Sequence, residues 1–317
     1  MIMKTADKLV IEKNAAGGFT LVELVVVIAT VALLAALLLP ALAGTRPNTQ
    51  SLQCMENQRQ LILAWQMYAQ DNSDILPPND YPYTTCAARD GITCRNWVFG
   101  TMWKNCPQDA IDAPGLGAGI QTDPKLTCLA VYNQNNAIFK CPADNTTVQG
   151  LIRQRSLSMN SAVGTIWYSS AGHPGASMDG RLLGSPVAGG WLSGNGGAYD
   201  SKLPDPNYRT YGKTSDITAP RPSDLWVLMD ENPQTINDGS MAISMAQVIV
   251  DYPANSHNGG AGLSYADGHS EVHKWLDAFA NPTLPSSATG GPGGLALAAS
   301  IPCQDLSYLQ PRTSALR

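Results

Sequence analysis

One long apolar stretch near the N-terminus constrains the fold of this chain more than any other feature. From Phe19 to Leu39, 21 consecutive residues carry a single charge, that of Glu23. A helix rises about 1.5 Å per residue, so a helix of this length reaches about 30 Å, the thickness of a bilayer's hydrocarbon core. The stretch therefore predicts a transmembrane helix with one carboxylate close to its start.

Two ordinary interpretations of this stretch leave Glu23 unexplained. A secretory signal peptide would account for the small residues Ala41-Leu42-Ala43, but the apolar run exceeds the roughly 7–15 residues of such peptides. A membrane anchor that is never processed would account for the length. An unpaired carboxylate within a bilayer costs several kcal/mol, so Glu23 needs a specific partner.

The residues around Glu23 form a motif that supplies such a partner. Gly18-Phe19-Thr20-Leu21-Val22-Glu23 resembles the N-terminal signature of type IV pilins and type II secretion pseudopilins. The resemblance implies that a prepilin peptidase cleaves between Gly18 and Phe19 and methylates Phe19. It also implies that Glu23 pairs with the N-terminal ammonium of a neighbouring subunit. The implied partners are prepilin peptidase, other pilin or pseudopilin subunits in a homopolymer, and the inner membrane.

A second resemblance covers much of the C-terminal part thinly. His257 is followed, after nine residues, by Asp267-Gly268, as in a bacterial subfamily of pilin-like proteins with a processing-associated C-terminal region. Further stretches resemble that subfamily at 57–61, 139–144, 155–160 and 229–231. The region 84–130, with its additional cysteines, departs from the subfamily pattern.

These observations predict an α+β fold of the pilin type. We expect a long N-terminal helix, with a transmembrane half and an amphipathic half, packed on a C-terminal antiparallel β-sheet domain. By the same resemblance Pro40 joins Glu23 as an assembly residue, and it is expected to kink the helix at the membrane edge. The predicted segments are a removed leader at 1–18, a transmembrane polymerisation helix at 19–44, an amphipathic helix at 45–71, a β-rich periplasmic domain at 72–280, and a Gly/Pro/Ser-rich linker and tail at 281–317.

Strand patterns beyond residue 76 are short. Apolar and β-branched stretches predict strands at 137–142, 156–160 and 225–230. Residues 262–266 and 270–275 predict a β-hairpin, because Asp267-Gly268 between them favours a tight turn.

Two interpretations of the C-terminal motif stay open. In a structural one, Gly268 adopts a positive φ, Asp267 accepts hydrogen bonds from turn amides, and His257 bonds a backbone group. In a metal one, histidine and acidic side chains gather around a cation: Asp267, His269 or His257 with Asp251 or Asp230. Calcium is the cation that major pseudopilins bind, but histidine suits it poorly, and its ligands stay unassigned. No other cofactor is expected.

Seven cysteines are present: Cys54, Cys86, Cys94, Cys106, Cys128, Cys141 and Cys303. None has the short paired spacing of a zinc ribbon or a redox motif, so metal binding through cysteine is not predicted. Disulfides are expected in an oxidising compartment. Cys54 with Cys141 would pin helix to sheet, while Cys86–Cys94 and Cys106–Cys128 would close local loops and leave Cys303 free.

Charge and motifs argue against nucleic-acid binding and catalysis. The formal net charge is −5, and no basic patch is evident. Gly212-Lys213-Thr214 lacks the upstream glycine of a phosphate-binding loop, since residue 207 is Asn. Asp230 and Glu231 are adjacent on a predicted strand and point to opposite faces. We therefore expect no enzymatic activity.

The sequence thus predicts a pilin-like structural subunit of a type II secretion-like pseudopilus or a type IV-like pilus. It would cross the inner membrane once and place its C-terminal domain in the periplasm or outside the cell. The alternative, from another class, is a membrane-anchored extracytoplasmic binding protein or enzyme that uses the same export signal.

Overall fold

The structure is a computed structural model that describes residues 20–79, 96–98, 124, 127–148, 151–165, 185–194, 204–236, 238–280, 282, 297–298 and 303–317. The chain divides into two compact units, Met1–Arg46 and Pro47–Arg317. Several predicted functional residues lie outside the described residues: Gly18, Phe19, Cys86, Cys94 and Cys106. Pro40 falls within a helix, but its side chain is also outside them.

Helix α1 extends over Leu21–Asp71, and its start is fixed by a capping box. The amide of Glu23 donates to Thr20 Oγ1 at 3.3 Å, and Glu23 Oε2 accepts from the amide of Thr20 at 2.8 Å. Each side chain thereby satisfies a backbone donor that the helix leaves unpaired. In the unit Met1–Arg46, ten large apolar side chains between Leu21 and Leu34 are 47% to 78% exposed.

The predicted membrane span is wrong. Among the described residues, no helix is both long and apolar enough to cross a bilayer. The side chains at the apolar start of α1 are described for residues 20–36, a stretch of about 25 Å against the roughly 30 Å of a hydrocarbon core. This finding corrects the predicted transmembrane helix at 19–44, the single-pass location in the inner membrane with a periplasmic domain, and the assignment to membrane-borne protein secretion.

The described part of the unit Pro47–Arg317 contains short strands and a second helix. The strands are β1 (Thr147–Val148), β2 (Leu151–Ile152), β3 (Leu157–Asn160), β4 (Trp226–Asp230), β5 (Ser240–Met241), β6 (Val248–Ile249), β7 (Gly260–Tyr265), β8 (Ser270–Lys274) and β9 (Leu297–Ala298). Helix α2 spans Gln304–Thr313. Short 3₁₀-helices lie at Cys128–Val131, Asn136–Phe139 and Thr214–Asp216.

Five strands form the central sheet in the order β5-β3-β4-β7-β8, and two pairs, β1-β2 and β6-β9, lie apart from it. Strand β3 runs parallel to β5, while the remaining neighbours in the central sheet are antiparallel. The sheet is therefore mixed, and the predicted antiparallel sheet is wrong. The parallel pair joins Met159 to Ser240, a long-range contact that local sequence patterns do not encode.

The packing of helices on the sheet also corrects the predicted fold class. Only residues 47–71 of α1 belong to the unit that holds the sheet. The predicted long helix with a transmembrane half, packed on an antiparallel sheet, is wrong. Leu61 and Trp65 of α1 share one buried cluster with Leu228 of β4. A second cluster contains Met229 of β4 and Leu309 of α2. Because successive strand residues point to opposite faces, the sheet lies between the two helices.

Candidate functional site

Four reactive side chains from distant parts of the chain meet between α1 and the sheet: Cys54, Cys141, Asp230 and His257. We call them the four-residue cluster. One sulfur, nitrogen or oxygen atom from each lies within 4.8 Å of the others. Their exposed fractions range from 0% to 6%, so the cluster is closed to bulk solvent.

Each member of the cluster is placed by its local structure. Cys54 lies on the buried side of α1, and Asp230 is the last residue of β4. The amide of Cys141 donates to Ser156 Oγ at 2.7 Å, just after the 3₁₀-helix at Asn136–Phe139. His257 precedes β7, and its amide donates to the carbonyl of Gly260 at 3.1 Å.

Gly262 of β7 makes the close approach of α1 to the sheet possible. A Cβ at this position would lie 2.5 Å from Gln58 Nε2, 3.0 Å from Asp230 Oδ2 and 3.1 Å from Cys54 Sγ. The amide of Gly262 instead donates to Asp230 Oδ2 at 3.1 Å. A larger residue would push the helix and its cysteine away from Asp230.

The cluster is held by short polar contacts. Cys54 Sγ donates to Asp230 Oδ2 at 2.9 Å. Cys141 Sγ lies 3.2 Å from His257 Nε2, which is 3.6 Å from Asp230 Oδ2. The other ring nitrogen of His257, Nδ1, lies 3.0 Å from Ser51 Oγ. The imidazole therefore presents one fixed nitrogen, Nε2, to both Cys141 and Asp230.

The electrostatics of the cluster distinguish its two thiols. The close contact with Cys54, with help from His257, lowers the pKa of Cys141 to about 7. The same contact with Cys141, together with burial, raises the pKa of Cys54. Burial lowers the pKa of His257, but the contacts with Asp230 and Cys141 outweigh it and raise the pKa to about 10. Cys141 is thus the thiol that ionises first.

The arrangement limits the chemistry that the cluster can perform. A cysteine beside a histidine and an acid has the composition of a nucleophilic site, but no cluster side chain is open to a substrate. Cys54 and Cys141 are free thiols in the structure, and their predicted disulfide stays a prediction. The sulfur, nitrogen and oxygen donors also form a set that a metal ion could bind.

The residues of the C-terminal motif lie in two places: His257 is in the four-residue cluster, and Asp267-Gly268 form the turn between β7 and β8. Gly268 has a φ of +99°, and Asp267 Oδ1 accepts from the amide of His269 at 3.1 Å, as the structural interpretation expects. The His257 side chain contacts Ser51 and Cys141 instead of a backbone group. Of the predicted metal ligands, His257 and Asp230 lie together in the cluster, whereas Asp267, His269 and Asp251 lie outside it.

The joint site was missed because its members are far apart in sequence. Cys54 is 176 residues from Asp230, and Cys141 is 116 residues from His257. Short paired spacing is the pattern by which cysteine metal sites are found in sequences, and this chain has none. The two other predicted cysteine pairs, Cys86–Cys94 and Cys106–Cys128, stay predictions, because Cys86, Cys94 and Cys106 lie outside the described residues.

Glu23, the predicted assembly residue, belongs to the unit Met1–Arg46 and is exposed. Its Oε2 atom accepts from both the amide and the hydroxyl of Thr20 at 2.8 Å. These hydrogen bonds lower the pKa of Glu23, the contribution of the amide being the larger. The carboxylate is therefore held in its charged form at the start of α1.

None of the family models, curated proteins or solved structures compared with this chain matches it.

Proposed function

We propose that this chain is a pilin-like structural subunit, cleaved after Gly18 by a prepilin peptidase and assembled with copies of itself into a filament of the pilus or pseudopilus type. The motif from Gly18 to Glu23 supports the processing step, since it combines the residues that such a peptidase reads. The exposed apolar side chains between Leu21 and Leu34 support the assembly step, and they carry the proposal.

An exposed apolar surface of this kind is unfavourable in a lone subunit. Covering apolar surface contributes about 25 cal/mol per Å², and large exposed apolar patches mark interaction surfaces. Ten large apolar residues between Leu21 and Leu34 are at least 47% exposed. Apolar side chains surround this part of α1, so several copies can pack against it at once. A subunit that contacts its neighbours through different sides of one helix generates a helical filament when these contacts do not close into a ring.

Glu23 fits this assembly through its charge. Cleavage after Gly18 would make Phe19 the first residue, with a free or methylated ammonium. An ionised carboxylate offers about four acceptor positions, and Glu23 uses one oxygen for its contacts with Thr20. It therefore retains acceptor capacity for the ammonium of a neighbouring subunit.

Processing can be tested by comparing Gly18→Ala with Gly17→Ala, a matched control one residue earlier. Both variants and the wild type would be expressed in full length in cells that carry a prepilin peptidase. We expect the wild type and Gly17→Ala to lose residues 1–18, gain a methyl group on Phe19 and form filaments. Gly18→Ala should keep its full mass and form none. Intact-mass spectrometry measures the cleavage and the methylation, and electron microscopy detects the filaments.

Two outcomes would contradict the proposal. One is a mature wild-type chain whose first residue is not Phe19. The other is filament formation by uncleaved Gly18→Ala at the wild-type level. The expectation that the chain has no enzymatic activity stays a prediction.

A further inference from the structure

We propose that the four-residue cluster binds one zinc ion in a closed, structural site. Two cysteine sulfurs, one imidazole nitrogen and one carboxylate oxygen are the ligand types that zinc takes in proteins. Calcium and magnesium prefer oxygen ligands alone, so the donor set disfavours them. This inference is independent of filament assembly, because every ligand lies in the unit Pro47–Arg317.

The distances between donor atoms fit a tetrahedral ion. Zinc binds sulfur at about 2.3 Å and nitrogen or oxygen at about 2.0–2.2 Å, which places neighbouring donors about 3.4–3.8 Å apart. Cys141 Sγ lies 3.2 Å from His257 Nε2, and His257 Nε2 lies 3.6 Å from Asp230 Oδ2. Cys54 Sγ and Asp230 Oδ2 are 2.9 Å apart through their hydrogen bond. Replacing that proton with zinc needs shifts of less than about 1 Å.

The groups around the donors orient them as an outer shell does in metal sites. Ser51 Oγ contacts His257 Nδ1 at 3.0 Å, so Nε2 is the nitrogen that faces the other ligands. The amide of Ala143 donates to Cys141 Sγ at 3.4 Å, and Gln58 Nε2 donates to Cys54 Sγ at 3.8 Å. Donors aimed at sulfur stabilise thiolates, the form that zinc requires.

The buried carboxylate of Asp230 is not fully satisfied by its hydrogen bonds, which all go to Oδ2. Asp230 Oδ1 is buried, and it has no hydrogen-bond partner in the described structure. Burying an acceptor in this way costs about 1–3 kcal/mol. A divalent cation bound by Asp230 would offset two of the three negative charges that the carboxylate and both thiolates would carry.

The position of the cluster indicates a structural function for the ion. Its ligands come from α1, from the turn after a 3₁₀-helix, from the end of β4 and from the turn before β7. One ion would therefore cross-link the helix to the sheet and to two loops. Structural zinc sites have four protein ligands and no open position, which agrees with the burial of all four side chains. Zinc and a Cys54–Cys141 disulfide would exclude each other.

The test uses the full chain, reduced and freed of metal with a chelator. Zinc binding is measured by competition with a chromophoric chelator, and cobalt(II) serves as a spectroscopic probe. We expect one zinc ion per chain, thiolate-to-cobalt charge-transfer bands, and the strong visible absorption of tetrahedral cobalt. We also expect zinc to raise the melting temperature of the reduced chain. These wild-type measurements decide the proposal even where a variant fails to fold.

Variants then identify the ligands. Ser51→Ala leaves every ligand in place and should weaken zinc binding by about 10–100-fold. Cys141→Ser and His257→Gln each remove a ligand and should weaken binding more than Ser51→Ala does. Cys303→Ser and His269→Gln are matched controls outside the cluster, and they should bind zinc like the wild type.

Three outcomes would overturn the proposal. The reduced wild type could show no affinity for zinc or cobalt. Zinc affinity could survive unchanged in both Cys141→Ser and His257→Gln. Peptide mapping could find Cys54 and Cys141 joined as a disulfide in a chain that, once reduced, takes up no zinc.

Discussion

At the scale of single residues, Glu23 has two functions that substitutions can separate. It closes the capping box of α1 with Thr20, and we propose that its charge pairs with a neighbouring subunit. Glu23→Gln keeps an acceptor for the capping box but removes the charge. We expect this variant to be processed normally and to keep its helix, yet to lower filament yield at least about tenfold, because the ammonium of a neighbouring subunit loses its charged partner. Filament yield is measured by sedimentation and electron microscopy.

The controls distinguish capping from pairing. Glu56→Gln changes an exposed glutamate elsewhere on α1, and it should leave filament yield unchanged. Glu23→Ala removes both functions and should also loosen the first turn of α1. Wild-type yield from Glu23→Gln would mean that assembly uses the cap and not the charge.

The conformation of single residues was predicted correctly where neighbouring residues in the sequence determine it. The Asp-Gly pair predicts its own turn, and Gly268 indeed has a φ of +99°. The four-residue cluster has no local cause, because Cys54 and Asp230 meet only after the sheet has formed and α1 has packed on it. The glycine that permits this approach, Gly262, carries no pattern that distinguishes it from other strand glycines. The sequence therefore shows which residues are reactive, but it does not show that four of them meet in the folded chain.

At the scale of elements, helix α2 is anchored by one buried carboxylate. Asp305 accepts from the amides of Leu276, Asp277 and Phe279 at 2.7 to 3.0 Å. Asp305→Asn would turn an amide group toward these donors and leave at least one of them unsatisfied, at a cost of about 1–3 kcal/mol. We expect the amides of α2 to exchange with solvent about 5–150-fold faster in this variant, because the helix detaches more often.

Gln304→Ala is the control for this prediction. It changes an exposed side chain at the start of α2 and should leave exchange near the wild-type rate. Hydrogen–deuterium exchange with mass spectrometry of the C-terminal peptide provides the measurement. Equal exchange in Asp305→Asn and the wild type would show that apolar packing of Leu306 and Leu309 alone holds the helix.

Strands and their pairing were predicted correctly where the paired strands are close in sequence or where the strand pattern itself is local. The strands at 156–160 and 225–230 and the hairpin around Asp267-Gly268 are confirmed, because their alternation and turn chemistry are local. The strand predicted at 137–142 is wrong: Asn135 Oδ1 accepts from the amide of Ala137 at 3.1 Å and starts a 3₁₀-helix. The parallel pairing of β3 with β5 depends on contacts across the fold, which no local pattern predicts.

At the scale of the whole molecule, acids that are buried or half-buried make stability depend on pH. Burial raises the pKa of Asp251 to about 8, although its carboxylate accepts from the amide of Ala242 at 2.7 Å. Burial likewise raises the pKa of Asp238 to about 6, against the opposing charge of Arg155. Burial also raises the pKa of Glu231, and the nearby charge of Asp251 adds to the effect. The folded chain therefore holds protons that the unfolded chain releases.

The sign of the pH dependence follows from the fact that folding raises the pKa values of these acids. An unfolded aspartate has a pKa of about 3.9, so the folded chain binds more protons than the unfolded chain from about pH 4 upward. The stabilising contribution is complete below that pH, and it is lost as the pH rises through the folded values of about 6 and about 8. The unfolding free energy should therefore fall between about pH 5 and about pH 8.

Asp251→Asn isolates this effect, because an amide keeps an acceptor for Ala242 and cannot ionise. We expect the variant's free energy of unfolding, relative to the wild type, to rise by on the order of 1–3 kcal/mol from about pH 5 to about pH 8. Urea denaturation of the full chain at several pH values provides the measurement. Asp224→Asn is the control, since Asp224 is half-buried and paired with the exposed Arg221 at 2.9 Å, and its curve should run parallel to that of the wild type. If the curve for Asp251→Asn also runs parallel to that of the wild type, the pH dependence arises from the titration of other groups.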